Sequence, residues 1–256
     1  NDYETNLDVY LVYQITDELA SYASIRIVHR DNRPWAFAFA RGGLVAFNPA
    51  TGKVDFRYPW RADILESVNA STPVIHRNQI FISETYKVGS SLLAFSPEYH
   101  QVLWRDPGNK RQNVMMAHWN TPIFHDGYLY GCSGRNTPDA DLRCVRWSDG
   151  KLIWKQSVDS SRGTTQPHLT RCSLLYVDNH FVCLGEYGVL RLIRVNPEKY
   201  ELVSKVVLTI DGPTNTEGQT TQLINYPAWS APVLSHGLLY VRGAGRLVCM
   251  ELIPEE

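Results

Sequence analysis

At 256 residues, with 44% hydrophobic and 20% charged side chains, the chain can bury a substantial core and is too apolar for disorder. Its formal net charge of −1, with no long run of one sign, argues against nucleic-acid or anionic-membrane binding driven by bulk charge. No apolar stretch reaches the roughly eighteen residues that span a bilayer, and the polar opening NDYETN carries no signal-peptide pattern.

The first predicted element is a strand-like run at Val9–Ile15 (VYLVYQI). After it one unit is written five times. Anchored on an apolar quartet, the copies are LVAF at 44–47, LLAF at 92–95, LRCV at 142–145, LRLI at 190–193 and LVCM at 247–250, spaced by 48, 50, 48 and 57 residues. The stretch behind the quartet recurs as well: VDFRY at 54–58, VLWRD at 102–106, LIWKQ at 152–156 and LVSKV at 202–206. A fixed period of roughly 40–50 residues with several short strands per copy predicts an all-β fold, a β-propeller of about five four-stranded blades forming one domain over 1–256.

In the second copy the strands are predicted at Pro73–His76, Gln79–Glu84, Ser91–Ser96 and Val102–Asp106, with turns at His-Arg-Asn, Lys-Val-Gly-Ser and Pro-Glu-Tyr-His. The middle strands are continuous apolar runs, which suit burial on both faces between neighbouring blades. Pro73, Pro122 and Pro232 open first strands, where no ladder donor is yet needed. Phe56, Trp104 and Trp154 recur in the last strand of three copies, and inter-blade packing is their reading. The fifth copy (APVLS, GLLYVRG, RLVCMELI) lacks a fourth strand. Val9–Ile15 is predicted to complete that blade and close the ring, hiding both edges. In the competing arrangement the chain is part of a larger propeller and Val9–Ile15 ends a preceding blade.

The five cysteines (Cys132, Cys144, Cys172, Cys183, Cys249) form no CxxC and no adjacent pair, and four lie in strand-like apolar runs. Buried thiols are expected, not a disulfide or zinc framework.

AFNPATGKVDF at 46–56 and CVRWSDGKLIW at 144–154 resemble the tryptophan-docking motif of the pyrroloquinoline-quinone-like (PQQ-like) propeller repeats. Ala46, Asn48, Thr51, Gly52 and Phe56 match it with two conservative changes, and Cys144, Gly150 and Trp154 match with Asp149 at the threonine place. In the second copy Ala94 and Trp104 match while Tyr99 and His100 replace Thr-Gly. The resemblance implies a propeller, and an exported or periplasmic location. The group includes quinoprotein alcohol dehydrogenases and a lipoprotein that assists outer-membrane β-barrel assembly. The enzymes hold PQQ on calcium between a tryptophan floor and a disulfide of consecutive cysteines. This chain has no Cys-Cys pair and no matching calcium set, so no cofactor is expected.

Two sets of residues are candidates for chemistry. His29, His76 and His125 sit in turns leaving first strands, where three imidazoles would either meet around a metal or cap separate hairpins. The segments entering the first strands bring Tyr22, Asn69, Ser71, His118, Trp119, Asn120, Tyr226, Trp229 and Ser230 to the opposite mouth. They form either a pocket for a small ligand or peptide, or wedges and turn caps. Asp31, Asp126 and Asp178 are explained by turn formation, and Gly131–Asp141 and Thr209–Gln222 read as surface loops. No nucleophile elbow, phosphate loop, HExxH or EF-hand loop is present. The favoured function is a non-catalytic module that binds or scaffolds a protein partner or small ligand at the propeller mouth. The alternative is a divergent PQQ-dependent oxidoreductase using the central funnel.

Overall fold

The structure, a computed structural model, describes residues 19–136, 139–157, 170–211 and 220–252. The predicted strand Val9–Ile15, and with it the closure of the last blade, lies outside these residues. Among the described residues every regular element is a strand. Blade 1 is β1 (Arg26–Arg30), β2 (Arg33–Ala40), β3 (Gly43–Phe47) and β4 (Val54–Pro59); blade 2 is β5 (Val74–His76), β6 (Gln79–Glu84), β7 (Gly89–Ser96) and β8 (Tyr99–Arg105). Blade 3 is β9 (Ile123–His125), β10 (Tyr128–Ser133), β11 (Asp141–Arg146) and β12 (Leu152–Ser157). Blade 4 is β13 (Cys172–Val177), β14 (His180–Gly185), β15 (Val189–Arg194) and β16 (Glu201–Val207). A hairpin of β17 (Thr209–Asp211) and β18 (Thr220–Gln222) precedes blade 5, which has β19 (Val233–Ser235), β20 (Leu238–Gly243) and β21 (Arg246–Glu251). Each blade is an antiparallel meander in chain order.

Two-residue turns set this meander. Asp31-Asn32, Asp126-Gly127, Asp178-Asn179 and His236-Gly237 each place both central residues at positive φ, the type I′ geometry whose twist matches paired strands. The three aspartates therefore serve the backbone. In blade 2 the last turn is only Pro97-Glu98, with Glu98 at φ 61. Proline fixes the first position, so β8 starts at Tyr99, three residues earlier than the pattern predicts. The two presumed surface loops also yield strand. Gly131, Cys132 and Ser133 continue β10 and are buried, and the ends of the Thr209–Gln222 stretch pair as β17 and β18.

The middle strands of blades 1 to 4 are buried along most of their length, because each seam between successive blades is its own apolar cluster. Trp35, Phe37, Phe39, Ile80 and Phe95 fill seam 1–2, and Phe81, Leu92, Leu129 and Trp147 fill seam 2–3. Tyr130, Cys132, Cys172 and Phe181 fill seam 3–4; Leu184, Ile224, Leu239 and Val241 fill seam 4–5. A buried side chain of this size contributes about 1.5–3 kcal/mol. Blade 5 departs from two-sided burial: β21 alternates between exposed and half-buried residues.

Four blades share a bulge between their third and fourth strands, just past the pairs Ala46–Phe56, Leu92–Trp104, Cys144–Trp154 and Leu192–Ser204. A bulge re-aims the neighbouring side chain, and three of these side chains reach the next blade. The Trp104 indole N–H donates to Trp147 O at 2.7 Å, and Trp154 donates to Asn196 O at 3.0 Å. Phe56 has no donor; its ring packs at 4.8 Å on His100, the residue that replaces the motif glycine in blade 2. Blade 4 has Ser204 there.

Candidate functional site

Counting back seven residues from the first-hairpin turn gives Ser24, Ala70, Trp119, Arg171 and Trp229 in successive blades. The backbone repeats, so this position repeats around one mouth, and its three large side chains belong to adjacent blades 3, 4 and 5. They meet. The ring centroids of Trp119 and Trp229 lie 6.3 Å apart, and the Arg171 guanidinium carbon sits 5.6 Å from the Trp229 ring centroid. Tyr226 stands edge-on to Trp229 at 5.8 Å and stacks on Tyr187 at 5.1 Å. Tyr187, Tyr226 and Trp229 are 41%, 46% and 45% exposed, so their faces are open to a partner.

A buried polar network fixes the Arg171 cation against the Trp229 ring. Glu186, 3% exposed, accepts from Arg171 Nη2 at 2.6 Å and Nε at 3.1 Å, from the Arg171 amide at 3.1 Å, from the Thr170 hydroxyl, and from Trp229 Nε1 at 3.4 Å. Arg171 Nη1 donates to His118 Nδ1 at 2.9 Å, so the imidazole carries its proton on Nε2, which faces Tyr86 Oη at 3.3 Å. Burial lowers the His118 pKa to about 4, with the charges of Arg171 and Arg135 adding to the effect. Arg135 lies over the Tyr86 ring at 4.8 Å. The β17–β18 hairpin joins here: Gln222 Nε2 donates to Tyr187 O at 2.6 Å. Both imidazole nitrogens and the carboxylate are thus committed within the network. The surface it leaves to a ligand is aromatic faces beside guanidinium groups.

Of the sequence candidates, His118, Trp119, Tyr226 and Trp229 come together at this patch. Asn120 is buried beside them, its amide donating to Cys132 O at 2.8 Å while its carbonyl accepts from the His118 amide. Asn69 and Ser71 are buried in blade 2; Asn69 ties Ala40 O and Trp60 O and so anchors its own loop. Tyr22 is 79% exposed in blade 1, and Ser230 is exposed next to Trp229. Tyr86, Arg135, Arg171, Glu186 and Tyr187 escaped the sequence reading, although the fixed count back from the turn would have flagged Arg171.

The histidine set separates. His76 and His125 immediately precede their turns and stack on the next blade, on Phe124 at 4.1 Å and Tyr176 at 4.5 Å. His29 is one residue further from its turn, which places it on the opposite face of its strand. No three of His, Cys, Asp and Glu are grouped to hold a metal among the described residues. The cysteines are single and free, and Glu186, which accepts from Trp229, is paired with Arg171 and not left open to a cation.

The family model described as outer membrane protein assembly factor BamB matches residues 24–189. No curated protein sequence matches the chain. Among solved structures, BamB from Moraxella catarrhalis is similar at 14% identity and a TM-score of 0.55, over 93% of this chain and 58% of that one. The quinohemoprotein alcohol dehydrogenase from Comamonas testosteroni is similar at 9% identity and 0.52, over 93% of this chain and 44% of that one. A europium-containing methanol dehydrogenase is similar at 11% and 0.54, over 84% and 51%. The chain spans about half of each of these proteins, and at such identities the likeness is one of fold.

Proposed function

The chain belongs to the PQQ-like repeat family described as outer membrane protein assembly factor BamB, and on that premise we propose that it is a non-catalytic scaffold which holds a protein partner at the Trp119–Arg171–Trp229 mouth. The observation that carries this reading is the composition and exposure of the patch. Tyrosine, tryptophan and arginine dominate binding hot spots, the two aromatics because they bury large area with little loss of rotamer freedom. Here exposed Trp229, flanked by Tyr226 and Tyr187, sits over a guanidinium already locked by Glu186, so little ordering entropy remains to be lost on binding. The family description suggests a partner engaged in outer-membrane protein assembly and a periplasmic location. No helix among the described residues is long and apolar enough to cross a membrane.

A photo-reactive amino acid at position 226 tests the reading, with one at exposed Leu103 on the outer strand as control. In a periplasmic extract, cross-links to a defined polypeptide from position 226, lost in Trp229→Ala, are expected. Equal labelling from both positions would sink the proposal. The oxidoreductase alternative rests on likeness of fold, and titration with PQQ and calcium addresses it. Stoichiometric binding with dye reduction would replace the scaffold reading.

A further inference from the structure

The fourth blade breaks the seam pattern, and the break leaves a slot. Ser204 occupies the register position held by Phe56, Trp104 and Trp154 in blades 1 to 3. No ring from that position crosses from blade 4 to blade 5. Between the two blades lies a cavity of about 230 Å³, lined by Leu190, Leu192, Leu239, Met250 and Leu252 together with Ser204. Apolar cavities of about 150 Å³ accept a benzene ring, so this one has room for a fused two-ring system.

The slot also keeps the polar feature that the Trp104 indole uses in seam 2–3. Trp147 accepts the Trp104 N–H through its carbonyl, and the Trp147 amide donates to Gly127 O at 2.9 Å. In blade 5 the corresponding amide is that of Leu252, which donates to Gly237 O at 2.9 Å. Leu252 therefore stands where the acceptor residue stands in blade 3, at one end of the slot. We propose that the blade 4–5 seam binds a small planar aromatic molecule of the indole type, with its rings between Leu192 and Met250 and its N–H directed to the Leu252 carbonyl. Arg191 is the one charged residue of the lining, and its guanidinium turns away to the Tyr200 hydroxyl in seam 3–4, which leaves the slot itself apolar. This site is on a different seam edge from the aromatic mouth and does not depend on it.

Methyl-labelled methionine supplies the readout. The chain has three methionines, of which Met115 and Met116 are buried near seam 2–3 and Met250 lines the slot. On titration with indole, the Met250 methyl resonance is expected to shift saturably by ring current while Met115 and Met116 stay in place. In Ser204→Trp the seam supplies its own ring: the Met250 signal starts shifted and the apparent indole affinity falls by about tenfold or more. Ser204→Ala keeps wild-type binding and guards against a folding defect in the tryptophan variant. Absence of a saturable Met250 shift in wild type, or an unchanged affinity in Ser204→Trp, would overturn the assignment. Binding of N-acetyltryptophanamide without binding of indole would assign the slot to a partner's side chain, and would also overturn it.

Discussion

Arg171 Nη1 donates to His118 Nδ1 at 2.9 Å, an arrangement that holds only while the imidazole is neutral. Protonation would set two cations against each other at the base of the aromatic mouth. Burial and the neighbouring guanidinium groups accordingly hold the His118 pKa near about 4, against an ordinary value of about 6.5. The sign follows. Between those values the unfolded chain binds more protons than the folded one, so the contribution is complete above the unfolded pKa and is lost as pH falls toward 4.

That gives a first prediction. Burial raises the carboxyl pKa of Glu84, Asp106 and Asp141, whose effect on the stability curve has the opposite sign, so a difference between proteins isolates the histidine. His118→Gln keeps an acceptor for Arg171 but does not titrate. The stability of wild type relative to this variant is expected to fall by roughly 3 kcal/mol between pH 7.5 and pH 4. Urea denaturation across that range checks it, and a flat difference would contradict the assigned tautomer.

Glu186 and Arg171 form the ion pair that anchors the mouth, with side chains only 4% and 10% exposed. Removing one partner leaves the other charge buried and uncompensated, at a cost of about 3–5 kcal/mol. Glu186→Ala is expected to destabilise in that range, and Arg171→Met in the same background to restore part of the loss. A Glu186→Ala protein as stable as wild type would show that water reaches the guanidinium.

How far the sequence carried this reading differs between fold and site. The seams were legible because period and aromatic spacing are one-dimensional facts: Trp104 and Trp154 recur at a fixed distance from the apolar quartet. The β8 start was misplaced because Tyr99 and His100 occupy Thr-Gly positions of the motif, although Pro97-Glu98 alone closes that turn. At the mouth, His118, Trp119 and Trp229 were visible as aromatics ahead of first strands, whereas Arg171 and Glu186 were not. The two lie fifteen residues apart in sequence and meet only through the pairing of β13 with β14, a tertiary fact without local signature. His29 failed for the complementary reason. A one-residue offset invisible in a motif comparison reverses a side chain on a strand.

Thiol reactivity separates the cysteines. Cys132, Cys144, Cys172 and Cys183 are buried, and Cys249 on β21 is exposed. Neighbouring thiol contacts and burial hold the Cys132 thiol well above its ordinary pKa, and burial raises that of Cys144 to about 12. Thiolate is the reactive form, so iodoacetamide at pH 8 is expected to label Cys249 alone in the folded protein and all five cysteines after unfolding. Mass spectrometry of the alkylated peptides reads the outcome. Labelling of Cys132 or Cys144 at the rate of Cys249 would mean that seam 3–4 opens readily.

Gly150 lies directly under the Trp104 ring, and the contact defines how closely blades 2 and 3 approach. Its φ is +69, and a β-carbon added there would come within 2.7 Å of ring atoms Cδ2 and Cε3. Gly150→Ala therefore carries two costs: a left-handed backbone for a residue with a side chain, and displacement of an indole anchored to Trp147 O. Together these are expected to cost about 2–3 kcal/mol. The components separate in a double-mutant cycle with Trp104→Ala. Without the ring only the backbone cost remains, about 1 kcal/mol, leaving a coupling of about 1–2 kcal/mol. Urea denaturation of the four proteins measures each corner. If Gly150→Ala costs the same with and without Trp104, the glycine is required by its turn alone, and the close approach of the two blades does not depend on it.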